Sequence, residues 1–347
     1  DTESNSLFEY EERVCLIQFS TISNDYLVDS IQLSDLSNLA GIFANTRIQK
    51  VFHAAEYDLM CLKRDFSFEF NNIFDTMIAS RVLGKPSFGL SSLLNEYFKI
   101  SVEKKYQRAN WGSRPLSEEM LLYAQLDTYY LIQLRDILLK ELVNTNKVEL
   151  ANEDFLRITD VEAFINNKNH DQYWKIIKGN SLSSHQESVL IELYYLRDDL
   201  AKKLNRPPFK VFSNQNIIDL VKKTPKNLSD LRNVDHFSPK LINKYGEDIL
   251  KAIQVGLEKK HVTRKRKPKP SPDYILKYEA LKDWRKNKSI SLSVESDIVL
   301  PKEHLEQLPH MTNITLENIQ QIMKNIPYRY SLFGMEILSI LENMEGL

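Results

Sequence analysis

The sequence predicts an α/β domain, a mixed sheet flanked by helices, followed by two all-α helical-bundle domains. Three observations predict it. Short apolar, β-branched runs alternate with helix-spaced segments through residue 150. Only nine glycines occur in 347 residues, which argues against a Gly-rich all-β architecture. Beyond residue 181 the helical sequence repeats itself in one gapless register.

The elements follow in order. "RVCLIQFS" and "DYLVDS" read as strands. "LSDLSNLAGIFAN" has helical spacing, with Leu36, Leu39 and Ile42/Phe43 recurring. "RIQKVFHA" is a further strand and "AAEYDLMCLKRDF" the helix after it; "IFDTMIASRVLG" starts another helix with Asp75 or Thr76 as N-cap. One long helix is expected over about 117–143, with Leu131, Leu134 and Leu138 on one face. Residues 151–181 carry few signals and are expected to connect domains. Residues 182–260 form a first helical domain and 272–347 a second, divergent copy. An 88-residue shift places Leu193 on Leu281, Arg197 on Arg285, Leu220 on Leu308, Gly246 on Gly334 and Ile249 on Ile337. Between the copies, residues 261–271 are basic and proline-spaced, which keeps them extended, either as a solvated hinge or as a strap on phosphate.

Composition narrows the function. Residues 1–150 hold 15 Lys and Arg against 21 Asp and Glu, so the net charge of −1 divides into an acidic first part and a basic remainder. Acid stands where metals are needed and base where a polyanion is held, although unrelated asymmetry between domains gives the same division. Cys15 and Cys61 lie in apolar surroundings and read as reduced core residues of a cytoplasmic protein. No apolar run reaches the roughly 20 residues that span a bilayer, so no membrane partner is expected. "GKPS" at 84–87 lacks the upstream glycine of a P-loop, so no ATP-driven motor is expected.

The chemistry rests on acids. Asp1 and Glu3 in "DTES" share one face of a strand, with the threonine between them turned to the other side. Asp58 falls in the first turn of a helix, where the dipole favours a carboxylate. Tyr123 and Asp127 stand one helical turn apart. Four acidic oxygen donors without a Cys or His cluster suit hard cations such as Mg2+ or Mn2+.

Read together, "DTE", "HAAEYDL", "FDTMIASRVLG" and "KKYQRANWGSRPLSEEMLLYAQLDTYYL" resemble the DEDDy 3′–5′ exonucleases, the ribonuclease D family above all. Residues 182–260, notably "LYYLRDDLAKKLNRPPFKVFSN", resemble the helicase-and-ribonuclease-D C-terminal (HRDC) domain. The resemblance implies a ribonuclease-H-like exonuclease domain over 1–150 and tandem HRDC domains. It implies a two-metal-ion 3′–5′ exoribonuclease that releases nucleoside 5′-monophosphates and trims structured RNA, tRNA precursors above all. A DNA exonuclease and a non-catalytic nucleic-acid adaptor are the alternatives.

By position, the resemblance implies that Asp1, Glu3 and Asp127 hold the ion that activates water, and that Asp1 and Asp58 hold the ion at the leaving 3′ oxygen. Tyr123 orients the nucleophile. His53, Lys104, Trp111 and Arg114 stand at family positions: His53 as a buried, hydrogen-bonded residue or a ligand to substrate, the others orienting their segment or touching phosphate. There are departures. Asn110 replaces the family's Asp before Trp111, and Ser4 replaces the bulky aromatic that several relatives use to wedge the terminal base. A free α-amino group on Asp1 would place a cation beside the metals, so native residues are expected to precede it.

Overall fold

The computed structural model describes residues 1–33, 35–102, 105–163, 172–177, 182–259 and 269–344. Two compact units emerge. One comprises Asp1–Glu3, Val14–Ile165 and Pro268–Leu347, the other Ser4–Arg13 and Asn166–Lys267.

In the first unit, β1 (Thr2–Ser4), β2 (Val14–Ser20) and β3 (Asp25–Val28) form one sheet in the order β1-β2-β3. β2 is buried from Val14 to Gln18, as expected of a strand covered on both faces. β2 and β3 pair antiparallel, Ile17 opposite Val28 and Phe19 opposite Tyr26. β4 (Lys50–Phe52) and β5 (Ile73–Asp75) pair parallel as a second sheet, crossed over by α2 (Glu56–Phe66). The expected mixed sheet is therefore two separately bonded sheets. An apolar slot of about 440 Å³, lined by Ile17, Phe19, Val51, Phe52 and Leu131, separates β2 from β4.

Helices cover these sheets. α1 is Ser37–Ala44, α3 Thr76–Leu83, α4 Leu90–Phe98, α5 Glu118–Tyr129, α6 Leu131–Asn144 and α7 Val148–Thr159. The single helix expected over 117–143 is two, divided at Tyr130. The division lets each half bury a different face. α5 lies against the β2–β3 hairpin through Ser20 and Thr128, whose hydroxyls are 2.8 Å apart. α6 turns Leu131, Leu134, Leu138 and Leu142 into a core with Ile78, Ala79 and Val82 of α3. Phe98 packs on Tyr130 at the joint, their ring centroids 5.2 Å apart.

The second unit contains α8 (Trp174–Ile177), α9 (Ser184–Lys203), α10 (Asn214–Lys223), α11 (Leu228–Arg232) and α12 (Pro239–Glu258). Capping boxes start two of them: Ser183 with Gln186 opens α9, and Ser213 with Asn216 opens α10. α9 and α12 pack backbone to backbone at Gly256, where an added Cβ would stand 2.6 Å from Val189 Cα. Within the expected connector 151–181, the described residues include the end of α7 and all of α8. α7 buries Phe155 in the first unit, and Tyr173, Ile176 and Ile177 join the core of the second. Of the basic stretch 261–271, residues 261–268 lie outside the described residues.

The C-terminal helices are α13 (Pro272–Leu292), α14 (Ser296–Val299), α15 (Lys302–Gln307), α16 (Leu316–Ile322) and α17 (Pro327–Glu342). Their core is Leu281, Val299, Leu305, Leu308, Ile319 and Ile337. Expected as a separate body, 272–347 instead belongs to the first unit, and the contacts explain why. The Arg329 guanidinium is fully buried; it pairs with Glu153 and with Asp154 (2.6 Å) and donates to Ile298 O. Arg157 reaches Glu303 at 2.9 Å, and Arg81 binds Glu295 at 2.7 Å and also Asp297. Gly84, at φ +80°, lies so close that a Cβ would stand 1.9 Å from Ser293 O; only glycine fits there.

Candidate active site

Three elements deliver the acidic side chains. Asp1 and Glu3 flank Thr2 at the start of the β1–β2 pair, where the Asp1 carbonyl accepts the Gln18 N–H at 3.0 Å. Asp58 sits in the first turn of α2 and is buried. Tyr123 and Asp127 lie one turn apart on α5, a helix started by Ser117, whose hydroxyl caps Met120 N–H at 3.2 Å, with Glu118 and Glu119 in its first turn.

A second carboxylate sets the position of α2. Asp75, the N-cap of α3, accepts Met77 N–H and Ile78 N–H at 2.8 and 3.0 Å. It also accepts Ala54 N–H and Ala55 N–H at 3.2 and 2.7 Å, in the left-handed turn (Ala54 φ +62°) that opens α2. The sequence marks Asp75 as a cap; its grip on the helix carrying Asp58 has no local signal, because the two segments meet only through the β4–β5 pairing.

The acids share one electrostatic environment. Burial first, then the charges of Asp127 and Asp58, push the Glu3 carboxyl up to about 9. Burial and Asp58 push Asp127 up to about 7, against the pull of the Asp1 ammonium. Asp58 is raised chiefly by burial, opposed by the same ammonium and by the Thr2 hydroxyl and amide. The Tyr123 phenol is raised by burial and by Asp127 and Glu3. Burial lowers the Asp1 α-amino group, and the charges of Asp58, Asp127 and Glu3 oppose that shift. Thr2 does not turn away as expected: its hydroxyl donates to Asp58 Oδ1, because β1 runs directly past the start of α2. Glu3, Asp58, Asp127 and Tyr123 thus lie near enough for the acids' charges to act within the set.

Among the described residues no group of three or more Asp, Glu, His or Cys side chains is arranged so that it could hold a metal ion. The donor chemistry nonetheless suits hard divalent cations: Glu3, Asp58 and Asp127 are oxygen donors whose like charges raise one another's pKa. A folded, metal-free site with raised carboxyl pKa values binds protons that the unfolded chain has released. Its stability therefore falls as pH rises from the ordinary carboxylate range through about 9. Chelated protein should melt progressively lower between about pH 5.5 and 8.5, and Mn2+ should flatten that slope while releasing protons; melting curves and a pH-stat titration read both.

The remaining expected residues take supporting places. His53 Nδ1 stands 2.9 Å from the Thr76 hydroxyl, which donates its one proton to Phe52 O; Nδ1 is therefore the protonated nitrogen. Burial lowers its pKa to about 4, so the ring is neutral. Trp111 is buried beside Tyr123, ring centroids 6.2 Å apart, and does not face a phosphate. Arg114 commits all five N–H donors: two to Asp29 (2.6 and 2.7 Å), one to Cys15 O and the others to Trp111 O and Ser113 O. It orients the segment before α5 and leaves no donor for phosphate. Lys104 lies outside the described residues. Beside Tyr123 opens a cleft of about 350 Å³ lined by Val102, Tyr106, Leu122 and Leu126.

Comparison with known proteins matches two parts of the chain to known families. Residues 1–143 match the family described as 3′-5′ exonuclease, and residues 186–253 match the HRDC domain. The chain is 32% identical over 268 residues to the exosome complex component 10 homolog of Caenorhabditis elegans, covering 75% of this chain and 30% of that protein. It is 33% identical over 243 residues to the exosome complex exonuclease RRP6 of Saccharomyces cerevisiae, covering 66% and 33%. It is 28% identical over 264 residues to the ribonuclease D of Desulfotalea psychrophila, covering 76% and 70%. The chain thus spans about a third of the length of the first two relatives. Among solved structures, the catalytic core of RRP6 from Trypanosoma brucei has a TM-score of 0.65 at 27% identity, covering 74% of this chain and 72% of that one. Escherichia coli RNase D shares the fold along 99% of this chain and 92% of its own, with a TM-score of 0.68 at 22% identity.

Proposed function

Residues 1–143 of this chain are a DEDD-type 3′-5′ exonuclease domain and residues 186–253 an HRDC domain, and from that premise we propose that the protein is a 3′–5′ exoribonuclease releasing nucleoside 5′-monophosphates. The observation that supports the reading is that Glu3, Asp58, Asp127 and Tyr123, from three elements of that domain, lie within reach of the acids' charges. Asp1, Glu3 and Asp127 would hold one divalent cation, and Asp1 and Asp58 the other. Bound there, Mg2+ or Mn2+ lowers the pKa of water and stabilises the leaving oxygen. Tyr123, whose raised pKa keeps the phenol protonated at neutral pH, orients the attacking water by hydrogen bonding and does not act as the base. His53, neutral and tied to Thr76, holds the end of β4 at the start of the Asp58 helix.

RNA is favoured over DNA because relatives matching both parts of the chain are named ribonuclease D and exosome exonuclease. Structured RNA, tRNA precursors first, is the proposed substrate, gripped by shape and phosphate through the basic helical part. We read 272–347 as a second HRDC-like copy. The same 88-residue shift carries α9 onto α13, α10 onto α15, α11 onto α16 and α12 onto α17, while Leu193/Leu281, Leu220/Leu308 and Ile249/Ile337 are fully buried in both. No helix among the described residues is long and apolar enough to cross a membrane.

The test is cleavage of matched RNA and DNA strands, 3′-free and 3′-blocked, with and without chelator. Metal-dependent release of 5′-monophosphates from 3′-free RNA is expected. Preference for DNA would move the protein to repair. Binding without cleavage in Mg2+ or Mn2+ would make it an adaptor.

A further inference from the structure

Helix α5 carries apolar residues on two sides. One side is spent inside the fold: Ala124 is buried with Cys15, Leu16 and Trp111, and Thr128 meets Ser20. The other side carries Glu119, Leu122, Tyr123 and Leu126, whose helical spacing sets them along one stripe. Leu122 on that stripe is 60% exposed. The stripe lines the cleft of about 350 Å³ together with Val102, Lys105 and Tyr106 from the segment before α5. All of these residues belong to the first unit.

Tyr106 and Tyr123 meet edge to face in this cleft, their ring centroids 6.0 Å apart. Two groups hold the Tyr106 ring. Its hydroxyl donates to Glu119, one turn before Tyr123, and the Lys105 ammonium stands 4.8 Å from the ring centroid. Lys105 also pairs with Glu119 at 3.4 Å. A phosphate is a poor occupant here, because Glu119 already neutralises Lys105 and the charges of Asp127 and Glu3 act on Tyr123 close by. An oriented ring beside exposed leucine suits the flat, uncharged part of a nucleotide. On the exonuclease reading the scissile phosphate faces the Tyr123 phenol, and the base joined to it through the sugar has about one ring's distance to cover before it reaches Tyr106.

We propose that this cleft is a nucleobase subsite, in which Tyr106 stacks on the base at the 3′ end of the RNA and Leu122 and Leu126 cover its remaining apolar surface. The choice of the 3′ end rests on the exonuclease reading of Tyr123. Every base has a π-face, so such a ring grips the end of a strand without reading its sequence. Stacking also attracts without charge, in a place where the acids repel the phosphate.

A short single-stranded RNA with 2-aminopurine at its 3′ end tests this in the full chain, with chelator present so that binding is read without cleavage. Wild type and Tyr106→Phe should quench the probe's fluorescence, as stacking on a ring does. Tyr106→Leu should not, and should bind about 10-fold more weakly, the effect of losing one stacked base. A strand whose terminal nucleotide lacks its base should bind wild type about 10-fold more weakly than the intact strand, and Tyr106→Leu equally well. Wild type indifferent to the missing base, or quenching that survives in Tyr106→Leu, would overturn the proposal. So would a Tyr106→Leu protein that melts lower yet keeps the penalty for the missing base, because Tyr106 would then be structural. Wild type that passes these tests but releases nothing in Mg2+ or Mn2+ would sink the exonuclease reading and leave the subsite standing.

Discussion

Asp127→Asn should abolish cleavage while RNA still binds. The substitution keeps the size and helix position of the side chain but removes the charge that, with Glu3 and Asp58, makes the site a cation trap. Losing a single preorganised electrostatic group typically costs about 10²–10³ in kcat, and losing one member of a set that acts as a unit costs at least that. The expected result is a fall of about 10³-fold or more in kcat, with the RNA dissociation constant within about two-fold of wild type. Because Asp127 also raises the Glu3 pKa, the variant's chelated form should lose less stability than wild type as pH rises towards about 9. Single-turnover cleavage of end-labelled RNA and a filter-binding assay measure the first two quantities. Full activity in Asp127→Asn would remove this residue from the machinery and with it the proposed ion beside Glu3.

Arg329→Ala should be the most destabilising single change outside the site. Glu153 and Asp154 are buried on α7 and meet the Arg329 guanidinium, while Glu153 also accepts Tyr328 N–H at 2.6 Å. Truncation leaves two buried carboxylates with their main counter-charge gone; Arg157, 2.8 Å from Asp154, offsets only part of that. Breaking a buried ion pair from one side costs about 3–5 kcal/mol, far more than the net worth of the intact pair. Urea unfolding should show that loss, with α13–α17 separating before the catalytic sheets. A loss below about 1 kcal/mol would mean that water reaches the cluster. Exposed pairs such as Lys302–Glu306 should change stability little when cut.

What could be read from the sequence was whatever local pattern encodes. The strand runs, the helix of Asp58 and the Asp75 cap all depend on neighbours in sequence, and the structure contains them. The spacing of Tyr123 and Asp127 on one helix is equally local. The rest depends on contacts across the chain. The helix break at Tyr130 follows from two partners, the β2–β3 hairpin and α3, that ask for different faces. Arg329 looks like an ordinary helical arginine until α7 closes over it. Alternation along β1 assigned Thr2 to the wrong side because it says which residues share a face, not which face meets α2. Arg114 carries the charge expected of a phosphate ligand, but Asp29, 85 residues earlier, takes it.

The four amides gathered by Asp75 give that position an unusual sensitivity. Asparagine, the nearest isostere, offers one oxygen and an NH2; with its oxygen in the place of Oδ1, which accepts three of the amides, the NH2 still faces the Ala55 N–H, a donor against a donor. Drift at residue 75 would therefore disable hydrolysis without altering anything that touches metal or RNA. A survey of inactive variants that inspected only the ligands would pass over it.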